Sequence, residues 1–170
     1  MKAKSREQLQ AKGNSRRAVL RAGLAGLGTG GALRAATGAA WSPKKQAAGL
    51  RPGEKAEGII SSCIRSGNLL FVSGIAGWYP QRRQEAGDAS VQMRSALSTM
   101  KEILERAGSS MDNVLKVNVA IIDPESNWNA MNDGYRGFFH SPAPARSVHG
   151  VASTRTKGNL LQVDCIAYVD

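Results

Sequence analysis

The sequence predicts an α+β domain in which two helices cover one face of a mixed sheet. Three observations predict it. Strand-like and helix-like segments follow one another as β-β-α-β-α-β-β, without the repeating βαβ period of a parallel sheet. From Val91 to Ala107, the residues Met93, Ala96, Leu97, Met100, Ile103, Leu104 and Ala107 fall on one helical face. In "NVLKVNVAIID" (113–123), Val117, Val119 and Ile121 alternate with other residues, as a strand with one buried face requires.

Each element has its own local signals. Residues 41–57, "WSPKKQAAGLRPGEKAE", are rich in Pro, Gly and Lys and read as a linker ahead of a domain at 58–170. "GIISSCIRSGNLLFVSG" gives an apolar strand, a turn at Ser66-Gly67-Asn68 and a second strand through Leu69, Phe71 and Val72. "IAGWYPQRRQEAGD" reads as a loop, with Trp78 and Tyr79 as candidates for a lid. Asp88 is a suitable N-cap for the first helix and Gly108 a suitable stop. Asp123-Pro124 ends the following strand, and Ser126 is the expected cap of a second helix carrying Trp128, Met131, Tyr135 and Phe138. "ARSVHGVA" and "NLLQVDCIAYV" (159–169) form the last two strands, around a polar turn at Thr154–Gly158.

Composition restricts the partners. The 170 residues carry a formal charge of +10, which by itself points toward nucleic acid or an anionic membrane. Residues 1–40, however, hold eight of the 23 Lys/Arg and only Glu7 of the 13 Asp/Glu. The remainder has 15 basic and 12 acidic residues, an ordinary surface, so no nucleic-acid partner is expected. The first segment has the order of a twin-arginine export signal: a basic lead, Arg16-Arg17 followed by Ala18-Val19-Leu20, a weakly apolar Ala/Gly/Leu stretch and small residues near Gly38–Ala40. It predicts a precursor handled by the twin-arginine machinery and a mature, exported or periplasmic domain. A signal that stays uncleaved as an anchor is the alternative. Cys63 and Cys165 lie in separate strand-like runs; an oxidising compartment permits a disulfide, and two buried thiols are the other reading. No Cys/His spacing indicates a metal site.

"SPAPARSVHG" (141–150) is the most informative stretch for function. Two prolines stiffen the approach to a strand headed by Arg146, a guanidinium that is costly to bury without a partner. It offers a planar fork that fits a carboxylate bidentately, or it forms an ordinary surface ion pair. His149 is one step out of phase with Arg146 and is expected on the opposite face.

The segments "GNLLFVSG", "QMRSALSTMKEILERAG", "DNVLKVNVAIID", "WNAMNDGYRGFF", "PARS" and "LQVDCIAYV" occur in this order, and the series is similar to the RidA (YjgF) family of reactive-intermediate deaminases, once labelled L-PSP endoribonucleases. The resemblance covers about residues 56–169. It implies a chorismate-mutase-like fold, a homotrimer with three interface pockets, and cofactor-free hydrolysis of 2-aminoacrylate or 2-imino acids to 2-keto acids and ammonia. By the same resemblance Arg146 holds the carboxylate of a small metabolite. Asn132, Ser73, Gly74, Ile75, Ile60 and Val148 complete the expected substrate-binding set.

Two positions depart from the family pattern. The glutamate that positions water falls on Gln162, and an amide holds water without accepting its proton. Asp164, on the same strand face but ~6.6 Å further along, is the other candidate for that role. Ile60 stands where the family has an early tyrosine, which makes the expected pocket more apolar. A non-catalytic trimer that binds a small metabolite is therefore the alternative function. RNA cleavage is disfavoured by the near-neutral body and the absence of a stacking platform.

Overall fold

A computed structural model describes residues 44–170. The proposed export signal, with Arg16 and Arg17, lies outside the described residues. The elements are β1 (Lys45–Ala47), β2 (Cys63–Ser66), β3 (Leu69–Ala76), α1 (Ala89–Arg106), β4 (Val114–Ile122), α2 (Pro124–Tyr135), β5 (Ala145–Val151) and β6 (Leu161–Tyr168). They build one six-stranded sheet in the order β1-β2-β3-β6-β4-β5. Only β4 and β5 pair in parallel, joined by α2 as a crossover; every other pairing is antiparallel. This is the predicted α+β architecture with a mixed sheet. No helix among the described residues is long and apolar enough to cross a membrane.

The alternation seen in the sequence sets the two faces. Val117, Val119 and Ile121 of β4 are fully buried beneath the helices, with Leu70 of β3 and Leu161 and Val163 of β6. Met93, Leu97, Met100 and Leu104 of α1 and Met131 of α2 cover them. Helix α1 begins as expected, with the Asp88 carboxylate accepting from Val91 N at 2.9 Å. It ends in a Schellman arrangement: Gly108 N donates to Glu105 O and Ser109 N to Leu104 O, with Gly108 at φ +79°.

The structure alters four local expectations. Lys45–Ala47, within the presumed linker, pairs with β2 as an edge strand. The apolar run expected as the first strand pairs only from Cys63; Ile59 and Ile60 are exposed and lie outside the β2–β3 pairing. Helix α2 is capped by Asp123 rather than Ser126. Asp123 adopts a left-handed φ of 44°, accepts from Ser126 N, and places Pro124 in the first turn, where its missing N–H costs nothing. The helix ends at Tyr135, so Phe138 follows it as a packed loop residue.

The cysteine alternatives are resolved. Cys63 and Cys165 both face the helices, one on each side of Val72: Cys63 pairs with Val72 across β2–β3 and Val72 with Cys165 across β3–β6. Two strand spacings separate their Cα atoms by about 9.5 Å, beyond the reach of a disulfide. Both are free, buried thiols.

Candidate functional site

The open face of the sheet carries a cleft of about 690 Å³ where β3, β6 and the β5–β6 loop meet. It begins with an irregularity in β3. Val72 pairs with Cys165 and Ile75 with Val163, so Ser73 and Gly74 together oppose Asp164 as a β-bulge. Ser73 is held by its N–H to Ser62 O (2.9 Å) and its hydroxyl to Ser61 O (2.7 Å), and the exposed Ile60 next to Ser61 borders the same cleft. Gly74 admits the Gln162 side chain: a Cβ there would lie 1.8 Å from Gln162 Nε2. Ile60, Ser73, Gly74 and Gln162 thus line one cleft, as expected for a shared site.

The loops around it are tied down by buried polar groups that periodicity did not reveal. Gln92 of α1 is fully buried; its Oε1 accepts from Leu160 N at 2.7 Å and its Nε2 donates to Gly158 O at 2.9 Å. Asn159 accepts from Trp78 N at 3.0 Å, and Thr154 Oγ1 donates to Asn159 O at 2.7 Å. Tyr79 lines the cleft with its phenol oxygen accepting from Ala76 N at 3.0 Å. Trp78 Nε1 donates to Arg83 O, so the loop read as a lid is anchored at both aromatics. Fully buried, internally satisfied Gln and Asn residues carry no local sequence signal.

The remaining expected residues lie elsewhere. Arg146 pairs with Val117 and therefore faces the helices, at the edge of the sheet. Its Nη2 donates to Asn132 Oδ1 at 2.8 Å, and its guanidinium lies 4.5 Å from the Tyr135 ring centroid and 5.9 Å from that of Trp128. Arg146 and Asn132 are brought together as expected, and Val148 lies on the same face. The Tyr135 hydroxyl is buried without a hydrogen-bond partner; burial pushes its pKa up, and the charge of Arg146 partly offsets this. His149 pairs with Ala120 on the open face, opposite in sense to Arg146 as predicted.

Two expected site residues do not turn their side chains into the cleft. Asp164 faces the open side but is absent from the cleft lining; Asn118 Nδ2 donates to its Oδ1 at 2.8 Å, across the β4–β6 pairing. Ile75, expected to shape the pocket through its backbone, follows the bulge directly but turns its side chain to the core, because the bulge restores the alternation one residue late. In a single chain, Arg146 and Gln162 occupy opposite faces of the sheet.

Comparison with known proteins gives this arrangement its context. The family model for endoribonuclease L-PSP matches residues 52–169. The chain belongs to this family, known also as RidA/YjgF. It is 29% identical over 127 residues to "Reactive Intermediate Deaminase A, chloroplastic" of Arabidopsis thaliana, covering 74% of this chain and 67% of the relative. It is 32% identical over 117 residues to the human "2-iminobutanoate/2-iminopropanoate deaminase", covering 66% of this chain and 84% of the relative. The crystal structure of yeast Mmf1 superposes with a TM-score of 0.63 at 30% identity, over 75% of this chain and 100% of that one. Within the RidA/YjgF family, the two helices on a mixed sheet found here form the chorismate-mutase-like fold.

Proposed function

We propose that this protein is a deaminase of small reactive 2-imino acids and their enamines, working as a homotrimer in which Arg146 of one subunit completes the Gln162 cleft of the next. The observation that carries this reading is the division of the site. The Arg146 guanidinium, hydrogen-bonded to Asn132, lies at one sheet edge, and the Gln162 cleft lies on the opposite face. Neither half suffices alone, and only a second copy can bring them together. Leu69, Phe71 and Leu115 are large exposed apolar residues, and the first two lie on the open sheet face, the kind of surface that association buries. Relatives named as a reactive intermediate deaminase and a 2-iminobutanoate/2-iminopropanoate deaminase support the reaction class.

The chemistry follows from the groups present. Arg146 takes the α-carboxylate bidentately and fixes the imine carbon against the cleft wall. The amide of Gln162 orients a water molecule by a hydrogen bond. Water adds to the C=N carbon, and its proton passes to the nitrogen directly or through solvent, because an amide accepts none. Collapse of the carbinolamine expels ammonia and leaves the 2-keto acid.

The test is release of keto acid and ammonia from freshly generated 2-iminobutanoate by the native chain, Arg146→Ala and Gln162→Glu. Turnover that depends on Arg146 supports the proposal; full activity in Arg146→Ala refutes it. The neutral Gln162 favours a second reading, metabolite binding without turnover. Arg146-dependent ligand stabilisation with no product in the native chain, and product in Gln162→Glu, identifies that case.

We also infer export of the precursor, on the strength of the Arg16-Arg17 segment. A reporter fused to residues 1–57 should reach the periplasm only while the pair is intact, and be retained in the cytoplasm after substitution of both by lysine.

A further inference from the structure

The lining of the Gln162 cleft has an uneven charge. It contains no carboxylate, and its single charged side chain is Arg155. Arg155 lies on the β5–β6 loop, where no hydrogen bond or ion pair to another described residue engages its guanidinium. The loop itself is held on both sides of it: Thr154 Oγ1 donates to Asn159 O, Asn159 N donates to Thr156 O at 3.0 Å, and Gln92 takes Leu160 N and Gly158 O. Here the cation is presented to a cleft by a loop that buried amides keep in place.

Arg155 is also separate from Arg146. The former borders the open-face cleft, and the latter faces the helices with Asn132 and Tyr135. In an assembled site that receives Arg146 from a neighbouring copy, a substrate with one carboxylate engages one guanidinium and leaves the exposed Arg155 to water. A substrate with two satisfies both. Gln162 and Tyr79 are compatible with such a dianion: the amide adds no repulsion, and the Tyr79 oxygen, already accepting from Ala76 N, keeps its own proton to donate. The volume of about 690 Å³ leaves room for a four- or five-carbon chain.

We propose that the cleft selects 2-imino acids bearing a second carboxylate, with Arg155 holding the distal carboxylate as a specificity-determining residue. This rests on the deaminase reading of the same site for its chemistry, but its charge argument applies equally to a site that only binds.

The experiment compares 2-iminoglutarate with 2-iminobutanoate as substrates, and 2-oxoglutarate with 2-oxobutanoate as stable ligands in titration calorimetry, for the native chain, Arg155→Ala, Arg155→Lys and Gln162→Glu. The native chain should show the lower KM for 2-iminoglutarate. Arg155→Ala should raise that KM about tenfold or more, as loss of a charge-assisted contact does, and leave 2-iminobutanoate unchanged. Arg155→Lys should recover part of the difference, and Gln162→Glu should penalise the dianion more than the monoanion. Equal kinetics for both imines in the native chain, or an equal loss for both in Arg155→Ala, overturns the proposal. Should neither imine be turned over, the deaminase reading fails and calorimetry alone decides. Arg155-dependent preference for 2-oxoglutarate then sustains the charge selection, and binding no tighter than 2-oxobutanoate overturns it.

Discussion

Arg146 and Gln162 lie on opposite faces of one sheet, on the two strands that flank β4: Arg146 pairs with Val117, and Gln162 with Ala120. Because adjacent residues of β4 alternate sides, this register commits the two side chains to different surfaces. No rotamer change within one chain reunites them. The proposed deaminase site therefore needs two copies.

A complementation experiment follows. The Arg146→Ala and Gln162→Ala variants should each be inactive. Unfolded together and refolded as an equal mixture, they should regain roughly a quarter of native activity, since each interface then has that chance of combining an intact arginine with an intact glutamine. Activity that stays at the level of the separate variants would exclude a site shared between copies.

The open face should also govern assembly. Phe71 is 41% exposed, on the face opposite the helices and paired with Ile166. Phe71→Glu should leave the secondary structure intact by circular dichroism while shifting the chain to a monomer in sedimentation, with loss of deaminase activity. A charged residue has little to disturb on a face that water covers, so an unchanged sedimentation coefficient would show that this surface is not the interface.

Gln92 tests the support of the cleft. Gln92→Leu keeps the volume but removes the fully buried amide that partners Leu160 N and Gly158 O. The expected cost is about 1–3 kcal/mol in urea unfolding, since Leu160 N loses its partner in a half-buried position while Gly158 O can turn to water. The residual native protein should show a raised KM, because the same bonds hold the loop that carries Arg155.

Close packing of the helices gives a fourth test. A Cβ on Gly134 would lie 2.4 Å from Ser90 O and 2.8 Å from Met93 Cβ. Gly134→Ala should therefore destabilise by about 1–3 kcal/mol through overpacking of α2 on α1, despite the better helix propensity of alanine.

The thiols set an alkaline limit on stability. Burial, slightly countered by a hydrogen bond from the Phe71 backbone, pushes Cys63 from 9.0 to about 11. Burial, with smaller contributions from Cys63 and Asp164, pushes Cys165 to about 12. Both pKa values are raised in the folded state, so the unfolded chain loses its thiol protons first. The stabilisation is complete below pH 9 and is lost as pH rises from there through about 11–12, with a slope of up to about 1.4 kcal/mol per pH unit for each thiol. Chemical denaturation across pH 8–11 should show this fall, and Cys63→Ala/Cys165→Ala should flatten it. In the native protein neither thiol should react with a disulfide reagent at pH 8, and both should react at once in denaturant.

Much of the fold was legible in the sequence because it rests on local periodicity. Met93, Leu97, Met100 and Leu104 recur at helical spacing, and Val117, Val119 and Ile121 at strand spacing; each pattern has one physical solution once its apolar face must leave water. The residues that hold the cleft in shape were not legible. Gln92 and Asn159 are buried because polar partners far along the chain meet them, which no local pattern encodes. Ile60 illustrates the converse: a run of apolar residues read as strand, but strand exists only where a neighbour supplies hydrogen bonds, and none reaches Ile59 or Ile60.

By itself the sequence determined the element order after β1, the two faces of β4 and α1, and, through "PARS" and the segments around it, the family. It also placed Arg146 at the head of its strand and His149 on the other side, since alternation along a strand is a property of the backbone. The tertiary structure decided what depends on register between distant strands: that Cys63 and Cys165 flank Val72 too far apart to bond, that Asp164 is held by Asn118, and that Arg146 and Gln162 are divided by the sheet. Register arises from summed pairing across the whole sheet, and it becomes definite only when every strand has found its neighbour.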